Sequence, residues 1–180
     1  LLEFNPFSAI QNNFLNTYDF IRLIQKFKIE YFCLISSDKA VRPTNIMGAS
    51  KRLAELGAIY LSKSRISNTR INCVRFGNVI NSSGSVLPLF YEQIQNNLPL
   101  TLTDKRMIRY FMTIEEAANL VLSVYKVSIG GEVFLLDMGD PINLYDLAKL
   151  ITQFSGKKIF DGVSGDIKIK YIGLRKGEKL

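Results

Sequence analysis

Two short segments, Tyr31 to Ser36 and Ile71 to Phe76, carry apolar side chains at both odd and even positions. A strand with water on one face alternates apolar and polar residues, so a run that is apolar on both parities has to be covered on both faces. Each run follows a stretch with helical spacing. Phe7, Ile10, Phe14, Ile21 and Leu23 mark residues 5–26, where Asn5-Pro6 suits a cap and a first-turn proline; Met47, Leu53, Leu56, Tyr60 and Leu61 mark residues 45–64. Helix, strand, helix, strand with doubly buried strands predicts an α/β fold with a parallel sheet between helices.

After Gly77 the texture changes, because Asn78 to Ser85 is too rich in Gly, Ser and Asn for a strand and too long for a tight turn. It is expected to be a loop at the C-terminal end of a parallel strand, where open α/β sheets bind ligands. Beyond it, a helix is predicted over Val86–Asn96, a strand over Leu100–Thr103, an aromatic segment over Arg109–Met112, and a helix over Glu115–Tyr125. A strand over Glu132–Leu136, a helix over Leu144–Phe154 and a strand over Ile167–Ile172 follow.

Composition narrows the chemistry. The chain has no histidine, which removes Ser-His-Asp and Cys-His nucleophiles and every His-ligated zinc site. Catalysis then falls to Lys, Asp, Glu, Ser, Thr or Tyr. The two cysteines, Cys33 and Cys73, lie in strand-like apolar segments and read as buried free thiols of a reducing compartment; no metal site is expected. No apolar run approaches the roughly 20 residues of a membrane helix. The 23 basic against 16 acidic residues give a net charge of +7, which favours an anionic partner without naming it. A nucleic-acid binder would rest on this charge alone, since no recognisable reading motif accompanies it, and nucleic acid is not the expected partner.

The stretch with chemical content is Ser36-Ser37-Asp38-Lys39 followed by Met47-Gly48-Ala49-Ser50-Lys51. Met47 and Lys51 are four apart and share a helix face, next to the strand end that holds Ser37, Asp38 and Lys39. Asp38 can donate or accept a proton, while Lys39 and Lys51 either stabilise developing oxyanions or serve as bases.

The segment Phe32 to Arg52 closely resembles the CapD/WbpM-like polysaccharide biosynthesis proteins, UDP-N-acetylglucosamine 4,6-dehydratases of the extended short-chain dehydrogenase/reductase superfamily. Four later stretches are similar to the same family: Arg75-Phe76-Gly77-Asn78-Val79 with Gly84-Ser85-Val86-Leu87-Pro88, then Arg109 to Thr113, Leu136 to Gly139, and Gly173 to Leu180. Asn12 to Thr17 resembles the Asn-x-x-Gly-Thr helix of extended members, with Asn16 where Gly is usual. The resemblance covers nearly the whole chain.

It implies the C-terminal part of a Rossmann-type doubly wound parallel sheet with a small α/β substrate-binding lobe. Residues 1–85 would be the second half of the NAD-binding domain and residues 86–180 mainly the UDP-sugar lobe, with about 109–125 returning to the sheet. It further implies a tightly held NAD: hydride leaves C4 of the sugar, water is eliminated across C5 and C6, and the hydride returns to C6, giving a UDP-4-keto-6-deoxy-N-acetylhexosamine. Asp38 would protonate the leaving C6 hydroxyl, Lys39 would take the C5 proton, and Ser37 would bond the C4 oxygen. Lys51 would bind the nicotinamide ribose, with Asn13 and Phe76 also at the cofactor. Asn78, Arg109 and Arg175 would hold the UDP moiety, where guanidinium forks suit diphosphate oxygens. Met47 stands where most relatives carry a Tyr that takes the C4 hydroxyl proton. A thioether cannot do this, which leaves Asp38 or a Lys-linked water as candidate bases.

No Gly-rich dinucleotide-binding spacing occurs in the 180 residues. The chain is therefore expected to be the C-terminal portion of a longer protein, cytoplasmic or at the cytoplasmic face of a membrane, and homo-oligomeric when complete. Weak or absent NAD binding is expected of this portion alone. A nucleotide-sugar 4-epimerase and a non-catalytic nucleotide-sugar-binding module are the alternatives.

Overall fold

A computed structural model describes residues 2–64, 66–80, 82 and 85–180. Gly84, which opens the Gly84 to Pro88 motif, lies outside the described residues, as do Asn81 and Ser83 of the expected 78–85 loop. In chain order the elements are α1 (Pro6–Ile10), α2 (Asn16–Lys26), β1 (Tyr31–Ser37), α3 (Ile46–Lys63), β2 (Arg70–Phe76), β3 (Asn78–Val79), α4 (Val86–Gln95), β4 (Leu100–Leu102), β5 (Ile108–Arg109), β6 (Phe111–Met112), α5 (Ile114–Val127), β7 (Val133–Leu135), β8 (Ile142–Asn143), α6 (Leu144–Phe154) and β9 (Ile169–Tyr171).

The chain forms two compact units, residues 1–77 with 115–137, and residues 78–114 with 138–180. In the first unit, β1, β2 and β7 make a parallel sheet in that order, with Leu34 opposite Cys73 and Cys73 opposite Val133. Strand alternation sends Phe32, Leu34, Ile71 and Cys73 to one face, where they pack with Ile21 of α2 and Ala54, Ala58 and Leu61 of α3. On the opposite face Tyr31 stacks edge-on against Tyr125 of α5, ring centroids 4.9 Å apart. The sheet is thus covered on both faces at its Tyr31 end, while Ile35, farther along the same face of β1, is 41% exposed.

The second unit has its own core of Phe90, Ile94, Leu100, Leu102, Met107, Leu144, Ala148, Ile151 and Ile167. It is held by three two-stranded ladders: β3 with β6 and β4 with β9 in parallel, β5 with β8 antiparallel.

Three expectations change. Residues 5–26 are not one continuous α-helix, because Gln11–Leu15 forms a π-turn between α1 and α2; the wide turn admits an extra residue and is a known device for re-aiming side chains. The polar segment after Gly77 begins as a strand, β3, because Asn78 N–H donates to Tyr110 O and Ile80 N–H to Met112 O; backbone pairing with a distant segment overrides the polar composition. Cys73 is buried but Cys33 is only half-buried. Among the described residues no helix is long and apolar enough to cross a membrane.

Candidate functional site

The centre of interest is the turn that leaves β1. Ser37 caps it: the Lys39 N–H donates to Ser37 Oγ at 3.2 Å, and Ser37 Oγ donates to Asp38 Oδ1 at 2.9 Å. Lys39 Nζ donates to the same carboxylate oxygen at 2.9 Å, and both side chains are about one-third exposed, at 32% and 31%. Buried Ala40 closes the turn against the protein. Cation, carboxylate and hydroxyl therefore meet at one oxygen on an accessible surface.

Helix α3 runs from beside this turn. Its first amide groups lack intrahelical partners, and three acceptor contacts meet them. Asn45 Oδ1 accepts from Gly48 N–H at 2.7 Å, while Glu3 Oε1 accepts from Ile46 N–H at 2.7 Å and from Met47 N–H at 3.4 Å. Gly48 permits the approach, because a β-carbon there would collide with the Lys39 carbonyl oxygen. Met47, Lys51 and Glu55 follow one another on a single helix face. Lys51 Nζ reaches back to the Ile35 carbonyl at 3.4 Å.

Glu55 is wholly buried and carries four bonds. Its Oε1 accepts from Ser36 Oγ at 2.6 Å and from Arg75 Nε at 2.7 Å; its Oε2 accepts from Arg75 Nη2 and from Arg52 Nη1, the last at 2.9 Å. Burial pushes this carboxyl upward, but the hydrogen bonds from Arg75, Ser36 and Arg52 outweigh it and hold the group below the ordinary glutamate value. Burial, with the Glu55 charge adding to it, pushes the Cys73 thiol up to about 12, which removes it as a nucleophile.

Of the expected cofactor residues, Asn13 lies in the π-turn and its Nδ2 donates to Ser50 Oγ of α3 at 2.9 Å. Phe76 ends β2 level with Ser37 of β1. Ser37, Asp38 and Lys39 are thus joined directly, Lys51 lies along the strand that leads to them, and Asn13 is tied to the turn of α3 between Met47 and Lys51.

The expected anion-binding residues belong to the second unit. Asn78 opens β3. Arg109 spreads its guanidinium over the last residues: Nη1 donates to Leu180 O at 3.1 Å, and Nη2 to Lys179 O at 2.9 Å and Glu178 Oε1 at 3.4 Å. Glu178 Oε2 accepts from the Arg175 N–H at 3.0 Å, so this one carboxylate links Arg109 to the turn that carries exposed Arg175.

Sequence reasoning passed over Glu3 and Glu55, and gave no role to Gly48 or Glu178 within the motifs that contain them. Glu55 was open to detection as an acid four residues after Lys51, flanked by Ala54 and Ala58 of the buried face of α3. Glu3 bonds Ile46 from 43 residues away and Glu178 bonds Arg109 from 69 residues away, and no local pattern announces either contact.

Residues 1–180 match the family described as polysaccharide biosynthesis protein. Capsular polysaccharide biosynthesis protein CapD of Staphylococcus aureus is 48% identical over 180 residues, which are 100% of this chain and 29% of that protein. UDP-glucose 4-epimerase of Rickettsia canadensis is 37% identical over 178 residues, 98% of this chain and 50% of that protein. The X-ray structure of Pen from Bacillus thuringiensis superposes with a TM-score of 0.89 at 38% identity, covering 99% of this chain and 54% of that one. NAD complexes of dTDP-glucose 4,6-dehydratases share the fold at 16% identity, with TM-scores of 0.80 and 0.78, which makes the parallel sheet a Rossmann-type one. The chain spans between 29% and 50% of the length of these curated relatives. It belongs to the polysaccharide biosynthesis protein family, as its motifs predict.

Proposed function

We propose that the chain carries the acid–base centre and the sugar-nucleotide-binding elements of an NAD-dependent UDP-N-acetylglucosamine 4,6-dehydratase serving surface polysaccharide synthesis. The observation that carries this reading is the 2.9 Å contact between Lys39 Nζ and Asp38 Oδ1 at the end of β1. Eliminating water across C5 and C6 needs a base at one carbon and an acid at the next. One proton passed along this contact turns an ammonium–carboxylate pair into a free amine and a carboxylic acid, the two forms the elimination uses. Lys39 then takes the C5 proton, Asp38 protonates the departing C6 hydroxyl, and Ser37 turns its hydroxyl to the C4 oxygen.

NAD supplies, when bound, the oxidant for C4 and the reductant for C6. The donor set fits its nicotinamide-ribose end: Lys51 gives one N–H to Ile35 O and keeps two for ribose hydroxyls, and Asn13 sits against the same helix. The pyrophosphate finds no Gly-rich turn in this sequence. Asn78, Arg109 and Arg175 hold the UDP diphosphate, with Arg109 exchanging carbonyl partners for phosphate oxygens.

Likeness to a UDP-glucose 4-epimerase supports a second reading, epimerisation at C4. An epimerase has no use for adjacent acid and base at C5 and C6, which favours the dehydratase. Incubating the natural full-length protein with UDP-N-acetylglucosamine and NAD, and following the sugar by proton NMR, separates the two. A new 6-methyl signal with loss of the C4 proton is expected. A C4 epimer that keeps its hydroxymethyl group would replace this reading with the second, and an unaltered sugar would remove both.

A further inference from the structure

The wholly buried carboxylate of Glu55 does no chemistry in the scheme above, yet it sits one helical turn after Lys51. Lys51 ends a flexible four-carbon stem, and among the described residues its side chain makes one hydrogen bond, 3.4 Å long, to Ile35 O. A contact of that length is too weak to hold an ammonium in place by itself. What holds it has to be the placement of α3. That helix is tied to β1 and β2 through Glu55: Oε1 to Ser36, the neighbour of both Ile35 and Ser37, and both oxygens to the fork of Arg75, the neighbour of Phe76. The lock therefore grips the residue before each strand-end site residue.

Packing alone does not call for a carboxylate here. Ala54, Ala58 and Leu61 already seal α3 to the sheet, and replacing a buried ion pair by apolar groups of like size is often neutral or stabilising. A bidentate Arg–carboxylate pair differs from an apolar contact in being directional, which suits it to setting one helix register and rotation.

We propose that Glu55 is a positioning residue, whose bonds to Ser36 and Arg75 set the rotation of α3 and so hold the Lys51 ammonium at the Ile35 carbonyl of β1. The use made of Lys51 rests on the dehydratase reading; its placement does not. The test uses the natural full-length protein with Glu55→Gln, which keeps size without charge, and Glu55→Asp, which keeps charge with shorter reach. Competitive lysine acetylation, with the same NAD concentration throughout and read by mass spectrometry, reports Lys51 directly.

Lys51 is expected to react about threefold or more faster in Glu55→Gln, as an amine released from its acceptor does, with Lys63 on the far end of the same helix unchanged and Glu55→Asp intermediate. In turnover, kcat is expected to fall about 10- to 100-fold with KM little altered, the signature of a displaced group rather than a lost binding contact. Unaltered Lys51 labelling overturns the proposal, and so does a rise shared by Lys63, which would mark general loosening. An unchanged kcat in an active protein overturns it too. A Lys51-specific rise in a protein whose wild type leaves UDP-N-acetylglucosamine untouched upholds the positioning role and removes only the dehydratase reading.

Discussion

Gly48 and Lys39 meet backbone to backbone: a β-carbon on Gly48 would run into the carbonyl oxygen of Lys39, with Asn45 Oδ1 close on another side. Lys39 O belongs to the turn that carries the Asp38–Lys39 pair, so the helix and the turn are in register only because position 48 is bare.

Gly48→Ala sets two effects against each other. Helix propensity gains about 1 kcal/mol, while forcing a methyl against backbone that cannot swing aside costs about 1–3 kcal/mol. The collision is expected to win, lowering unfolding free energy in urea and displacing the turn enough to reduce kcat. A variant as stable and active as the wild type would show that the turn yields freely.

Glu3 closes the open end of α3 from 43 residues away. Removing an acceptor at a helix N-terminus costs about 0.5–2 kcal/mol, and a carboxylate there also complements the helix dipole. Glu3→Ala should therefore lower the denaturation midpoint measurably, and Glu3→Gln, which keeps an acceptor oxygen, should lose less. Equal losses from the two variants would assign the effect to charge alone.

Glu55 gives the first unit an acid limit. Its folded carboxyl titrates below the ordinary 4.5, so the stabilisation it contributes is present above that value and is lost as pH falls through the lower folded one. Melting temperature plotted against pH is expected to drop below about pH 4.5 in the wild type. Glu55→Gln should start lower at neutral pH and slope less in acid. Parallel curves for the two proteins would place the acid sensitivity elsewhere.

Glu178 links Arg109 to the Arg175 turn. On the proposed role of these arginines, Glu178→Ala leaves them charged but unaligned. The Glu178–Arg109 contact is long, at 3.4 Å, so the ordinary net value of a hydrogen bond, about 0.5–1.5 kcal/mol, applies, and KM for the UDP-sugar should rise roughly two- to tenfold while kcat stays near wild type. That is the reverse of the pattern expected at Glu55. An unmoved KM would detach this cluster from diphosphate binding.

The parallel sheet was legible in Tyr31–Ser36 and Ile71–Phe76 because both carry apolar residues at odd and even positions, the mark of a strand between two layers of helices. The contacts among Ser37, Asp38 and Lys39 were legible because the three are consecutive at a strand end, and Met47 and Lys51 were legible as neighbours on one helix face because they are four apart. The β3–β6 ladder was not. Asn78 and Val79 pair with Phe111 and Met112 through main-chain atoms, and backbone donors and acceptors are the same for every side chain.

Local order in the sequence thus determined the strands and the long helix α3 of the parallel sheet, though not β3 or the π-turn, and which acid and base stand side by side, since periodicity and adjacency act within a few residues. The tertiary structure alone decided that Glu3 caps α3, that Gly48 admits Lys39, that Glu55 binds Ser36 and Arg75, and that Glu178 joins Arg109 to the Arg175 turn. Each of these is a contact between residues whose partners are chosen by how the chain packs, and a hydrogen bond or a close approach leaves no periodic trace in the order of amino acids.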